Sequence, residues 1–203
     1  MVVREITYEE TKPFIMGKHY AKRMPSISYA YGLFDEEDLV GVLTIGKPAS
    51  PFLCIGLLGK EYSSIVYELN RLVINEGLPK NTLSWFVGAV QRELKNVDIV
   101  LVSYADTAMN HHGYIYQATN WIYTGCTKSR TDKYTPNGKH SRHYTQEDCG
   151  LRKVRSAKHR YVWFSKRTRK LKPLLKYEVK PYPKGDNSRY SFDFKLQDKI
   201  IKK

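Results

Sequence analysis

One short stretch limits the folds open to this chain more than any other: the segment from Asp98 to Asp106. Ile99, Val100, Leu101 and Val102 make an uninterrupted apolar run, rich in β-branched residues and bounded by polar ones. Such a run fits a central strand buried on both faces. Asp106 lies just past it, where ligands of open α/β sheets bind. The sequence then predicts a short helix capped near Asn110 and carrying Gly113, Tyr116 and Gln117, with a further strand over 122–125. Asp106, Asn110, His111, His112 and Tyr116 are thereby gathered at one crossover. A well-capped βαβ corner without any chemistry has the same pattern.

At 203 residues, the chain is long enough for one domain with a sizeable core, and 41% of it is hydrophobic. No run approaches the roughly 18–20 apolar residues that span a bilayer. The opening residues are acidic and lack the apolar centre of a signal peptide. Cys54, Cys126 and Cys149 form no CxxC pair, which fits reduced thiols in a cytoplasm. His140 and His143, with Cys126 and Cys149, match no familiar zinc spacing.

The net charge of +14 is placed unevenly. Residues 1–149 hold 16 basic and 16 acidic side chains, whereas residues 150–203 hold 18 and 4. A basic block interleaved with Tyr161, Trp163, Phe164, Tyr177, Tyr182, Tyr190 and Phe192 fits a folded face for nucleic acid. A merely solvated basic face is the plainer alternative.

Taken in order, residues 2–6 predict a strand and 8–19 a helix, with Pro13 in a first turn or at a kink. A loop with His19, Tyr20, Lys22 and Arg23 follows. Residues 27–34 and 39–46 predict an antiparallel hairpin. Residues 47–60, with two prolines, read as an apolar loop. Tyr67–Ile74 is the next strand, with Glu68 and Asn70 on one face and Leu69 and Arg71 on the other. Asn81 is expected to cap a helix with Leu83, Phe86, Val87, Val90 and Leu94 inward. Lys80, Thr82 and Ser84 at its start suit a phosphate.

This order resembles the GNAT acyltransferase fold, an α/β (α+β) fold with a mixed, mostly antiparallel sheet and flanking helices. Ile115-Tyr116 sits where many GNAT enzymes keep a tyrosine that protonates the leaving thiolate of coenzyme A. The resemblance implies that strand 98–104 splays from strand 67–74 to admit the acyl donor. It places Arg71, Lys80, Asn81, Thr82 and Ser84 at acetyl-CoA or another acyl or glycyl donor. The pyrophosphate loop departs from the usual glycine-rich pattern, since residues 75–81 contain only Gly77.

A narrower resemblance is to the phage Mom proteins, DNA-modifying members of that superfamily. It rests on His19-Tyr20, Glu68 to Leu72, Ser84-Trp85, Ser103 to Asp106, Gly113 to Ala118, Asn120-Trp121, Lys158 to Tyr161 and Pro181 to Lys184, in order along the chain. It implies transfer of a carbamoylmethyl group to adenine N6 of double-stranded DNA in a bacterial host's cytoplasm, shielding it from restriction. An adenine N6 must leave the stack to react. Tyr20, Tyr29, Tyr31, Trp85 and Trp121 are candidates to hold it. Asp106 is the first candidate for the base and Glu68 the second, with Tyr116 as acid. The alternative role for His19, Tyr20, Asp106 and Tyr116 is an iron site.

The expected division is a catalytic core at 1–149 and a basic extension at 150–203 that completes the sheet. Arg152, Lys153, Arg155, Lys158, Arg160, Lys166, Arg167, Arg169 and Lys170, with Lys22 and Arg23, are expected on DNA phosphates. The rivals are a GNAT N-acetyltransferase acting on a protein or small molecule, and a nucleic-acid-binding protein without catalysis.

Overall fold

The computed structural model describes residues 1–134, 150–185 and 199–202. A seven-stranded sheet dominates it. Its strands are β1 (Val2–Glu5), β2 (Tyr29–Asp35), β3 (Asp38–Gly46), β4 (Val66–Ile74), β5 (Val100–Asp106), β6 (Ile122–Cys126) and β9 (Lys158–Phe164). The remaining strands, β7 (Arg130–Lys133), β8 (Leu151–Arg155) and β10 (Ile200–Lys202), make a smaller sheet in the order β10-β8-β7. The large sheet runs β1-β2-β3-β4-β5-β9-β6 and is antiparallel at every pairing except β4 with β5. This is the mixed, mostly antiparallel GNAT-like arrangement that the element order implied.

The parallel pair is short. Only Val66–Glu68 of β4 meet Val100–Val102 of β5, after which the strands part. Ser103, the next residue of β5, donates its hydroxyl across the gap to the Leu69 carbonyl at 2.8 Å. A side chain thus takes over where the backbone ladder stops. The opening lies at the C-terminal ends of both strands.

Helices cover both faces. On one face, α3 (Thr82–Glu93) packs Phe86, Val87 and Val90 against Leu43, Leu69 and Leu101. On the other, α2 (Pro51–Leu58) packs Cys54, Leu57 and Leu58 against Val66, Val100 and Val162. Central β5 therefore buries Val100 and Leu101 on opposite sides, which explains its unbroken apolar run. Helix α1 (Tyr8–Gly17) sets Phe14 against Val42 and Val73. A capping box starts it, with the Thr7 hydroxyl and Glu10 carboxylate each satisfying the other's backbone amide.

Three expectations need correction. Residues 51–58 form a helix, because Pro51 stands in its first turn, where its missing amide costs nothing. Pro13 lies inside α1, not in its first turn. Asn81 precedes α3 in a left-handed conformation, φ 69°, with no side-chain cap. Residues 158–164, beyond the expected boundary at 149/150, lie inside the large sheet between β5 and β6. The segment holding His140, His143 and Cys149 is outside the described residues, as are Tyr190 and Phe192. No helix among the described residues is long and apolar enough to cross a membrane.

Candidate active site

The gap between β4 and β5 opens into a cavity of about 670 Å³. The outer half of β4, the 75–81 loop, the start of α3 and the helix α4 (Tyr114–Ala118) line it. Of the residues expected at the donor, Arg71, Asn81, Thr82 and Ser84 line the cavity, whereas Lys80 does not. The Thr82 and Ser84 hydroxyls donate to the Pro79 and Asn81 carbonyls. The Thr82 amide also donates to the Pro79 carbonyl, at 3.2 Å, at a helix N-terminus, which in general favours anionic oxygens.

A β-bulge shapes the wall. Thr44 pairs with Arg71 and Ile45 with Leu69, so Asn70 is the extra residue. Its carboxamide accepts from the Thr44 hydroxyl at 2.6 Å and donates to the Ser26 carbonyl at 2.8 Å. The Arg71 guanidinium donates to the Arg23 carbonyl at 2.9 Å and to the Asn70 carbonyl at 2.6 Å. Arg71, expected on the cofactor, therefore also clamps the loop that carries His19 and Tyr20.

Glu68, Tyr104, Asp106 and Lys158 gather beside the cavity with that loop. Asp106 is 5% exposed. It accepts from the Ala108 amide at 3.0 Å and from the Ser156 hydroxyl, and its second oxygen is 3.1 Å from Lys158 Nζ. Burial pushes its pKa up, but Ser156 and Lys158 outweigh it and hold the group below the ordinary range. Glu68 is the opposite case. Burial raises its pKa, against the pull of Arg71 and Lys158. Two carboxylates on neighbouring strands are thus driven apart, which is the pattern of groups with different duties.

His19 is buried and stacks on Tyr20 with ring centres 4.4 Å apart. Its Nδ1 accepts the Ala21 amide at 3.0 Å, so the neutral ring carries its proton on Nε2. Burial, followed by the Arg71 and Lys158 charges, lowers its pKa to about 3. Burial and the Asp106 charge raise the Tyr20 phenol to about 12, and burial likewise raises Tyr104. Tyr116 lines the cavity from α4, its hydroxyl 2.7 Å from Ser103 Oγ. Trp121 and Tyr161 flank its ring, each with centres 5.1 Å away.

The structure thus brings His19, Tyr20, Glu68, Arg71, Asp106 and Tyr116 to one end of the sheet. Sequence reasoning missed Ser156 and the pairing of Lys158, expected on DNA phosphates, with Asp106. No spacing signals this, because the partners are some fifty residues apart and meet only through the β5–β9 pairing. Of the aromatic candidates, Tyr31 and Trp121 are core residues, 3% and 0% exposed. Tyr20 lines the cavity, Tyr29 packs edge-on against Tyr67, and Trp85 is exposed on α3.

The expected phosphate contacts are scattered. Arg160 lies over the Tyr177 ring at 3.4 Å and donates to Thr124. Arg152 is bonded to Thr131, Arg155 to Asp132 and Arg167 to Asp98. Lys22, Arg23, Lys153, Lys166, Arg169 and Lys170 are at or near the surface.

The profile of the Mom protein family matches residues 1–184. The chain belongs to the Mom family. The methylcarbamoylase Mom of Escherichia phage Mu is 29% identical to it over 194 residues, covering 85% of this chain and 79% of that one. Among solved structures, a Bacillus subtilis acetyltransferase in complex with CoA is similar at 11% identity and a TM-score of 0.48, covering 80% of this chain and 97% of its own. An IAA acetyltransferase from Bacillus cereus is similar at 13% and 0.49, covering 80% and 98%. As a Mom-family member, the protein is a transferase.

Proposed function

We propose that this Mom-family chain modifies phage DNA, transferring a carbamoylmethyl group to adenine N6 from an activated donor held in the cavity. The observation that carries the reading is the half-buried Glu68, one residue before the cavity lining begins at Leu69, in the field of Arg71 and of the Lys158 that pairs with Asp106. Asp106 is committed to Ser156, Lys158 and the Ala108 amide, which makes it a poor base and a good anchor. Glu68, with its raised pKa, is the better acceptor for the N6 proton. The N6 lone pair attacks the donor's activated carbon, the bond from that carbon to its leaving group breaks, and Glu68 takes the N6 proton. The Tyr116 hydroxyl protonates the departing group.

The phage Mu relative is named for a methylcarbamoyl group, CH3–NH–CO–. The carbamoylmethyl group expected from the resemblance, –CH2–CO–NH2, is its isomer. Both groups add the same atoms to the base, so the relative's name agrees with the expected group in composition.

Iron has no part in this scheme. His19 Nδ1 already accepts a backbone amide, so Nε2 cannot offer a lone pair to a metal without turning the ring. Both Asp106 oxygens are engaged, Tyr116 is bonded to Ser103, and Arg71 and Lys158 add positive potential at His19. The four residues do not fit an iron centre as they stand.

The test is mass spectrometry of nucleosides from plasmid DNA in cells expressing the protein or Glu68→Gln. A heavier deoxyadenosine made only by the unaltered protein is expected, and its fragments separate the two isomers. Unmodified DNA alongside acetylated protein or small molecules would favour the acetyltransferase rival.

A further inference from the structure

The basic surplus of residues 150–203 looks like one block along the chain. Among the described residues, the fold carries its parts to different places. Strand β9 runs antiparallel to β5, with Lys158 opposite Asp106 and Phe164 opposite Val100. Residues just before β9 therefore lie at the catalytic end of the sheet and those just after it, up to Leu174, at the other end, whereas 176–185 run back over β6 and α4. Seven residues of β5 separate the ends, about 20 Å. Lys166, Arg169 and Lys170 fall at the far end, where the Lys166 amide donates to the Lys95 carbonyl and Arg167 pairs with Asp98.

The small sheet leads straight into the catalytic end. Its strands hold six bases and one acid, Asp132. Register puts Arg130, Asp132, Lys153 and Arg155 on one face, with Arg130 directly opposite Arg155. Like charges placed across a ladder are destabilising. Asp132 relieves them only in part, at 2.8 Å from Arg155 and 3.8 Å from Arg130. A surface that retains such repulsion is matched by a polyanion. From Arg155 the chain reaches Lys158 in three residues, at most about 10 Å. On the way Ser156 bonds Asp106 and the Ala157 carbonyl accepts from Thr107.

We propose that the face of Arg130, Lys153 and Arg155 binds the phosphates flanking the adenine being modified, and that the Lys166–Lys170 cluster takes no part. The proposal rests on the DNA-modifying reading. Rigid attachment through Ser156 and Lys158 to Asp106 sets the register between the gripped backbone and the site. Contacts of this kind give affinity and position without sequence choice.

The test compares two triple variants of the full chain, Arg130→Gln/Lys153→Gln/Arg155→Gln and Lys166→Gln/Arg169→Gln/Lys170→Gln. Both remove three charges, so a mere loss of net charge affects them equally. Binding to a labelled DNA duplex is measured across a salt series, with an RNA duplex of the same sequence in parallel, and melting temperature checks folding. The first variant is expected to lower the slope of log affinity against log salt by about 2–3 and to weaken DNA binding about tenfold or more. The second should match the unaltered protein. Equal losses in both, a loss confined to the second, or a loss seen on RNA but not DNA would each overturn the proposal. DNA modification in cells by the unaltered protein is scored separately. Its absence overturns the functional reading, whereas its presence with undiminished binding by the first variant overturns only this interface.

Discussion

At the scale of single residues, the site separates two carboxylates by environment. Glu68 must be ionised to accept a proton, and its pKa is raised by burial. Activity should therefore fall on acidification at a higher pH than an ordinary glutamate would give. Glu68→Gln should cost about 10²–10⁴-fold in rate, measured as modified deoxyadenosine in an assay with purified protein. Asp106 acts through stability. Its carboxyl is held below its unfolded value, so its contribution is present above about pH 4 and is lost as pH falls through the folded value. Asp106→Ala strands the Lys158 ammonium and the Ser156 hydroxyl, at about 1–3 kcal/mol in denaturant melts. His19 adds a second acid limb. An unfolded histidine protonates below about 6.5, whereas His19 stays neutral down to about 3. Stability should decline as pH falls from about 6.5, and His19→Gln should flatten that decline.

At the scale of elements, the crossover after β5 is the most constrained piece. Gly113 begins α4 at φ 76°, and a Cβ there would meet the Tyr161 ring at 2.4 Å. Gly113→Ala should displace the helix that carries Tyr116 and destabilise the fold by about 1–3 kcal/mol, read as a lowered melting temperature. A strap behind α4 supports it. Tyr182 donates its hydroxyl to the Trp121 carbonyl at 2.7 Å, and Gln117 donates to the Pro183 carbonyl at 3.2 Å. Much of this was legible in the sequence, because β5 and α3 announce themselves through unbroken or periodic apolar residues. Helix α2 was not. Its residues are apolar almost all round, so no period shows, and Pro48 and Pro51 read as loop markers. Trp121 and Tyr31 were legible as aromatic but not as core, because burial depends on strand neighbours that the chain order leaves open.

At the scale of the whole molecule, the cavity between β4 and β5 lies next to the cluster of Glu68, Asp106 and Lys158. On the proposed function, a donor bound in it tethers α3, α4 and β4 together. A coenzyme A thioester at about 100 times its Kd should add about 2.7 kcal/mol, raising Tm by about 5–10 °C. A matched nucleotide without the thioester arm should give less. The sequence showed the concentration of charge but not its partition, since only the β5–β9 register assigns bases to one end of the sheet or the other. The placement of β9 has a further effect on how the protein comes into being. During synthesis β5 and β6 leave the ribosome well before β9, each with an unpaired edge facing a vacancy one strand wide. Lys158, the partner of Asp106, arrives on the strand that fills it. The Asp106–Lys158 pair therefore cannot form until β9 is made, so closing the sheet and completing the cluster depend on the same strand.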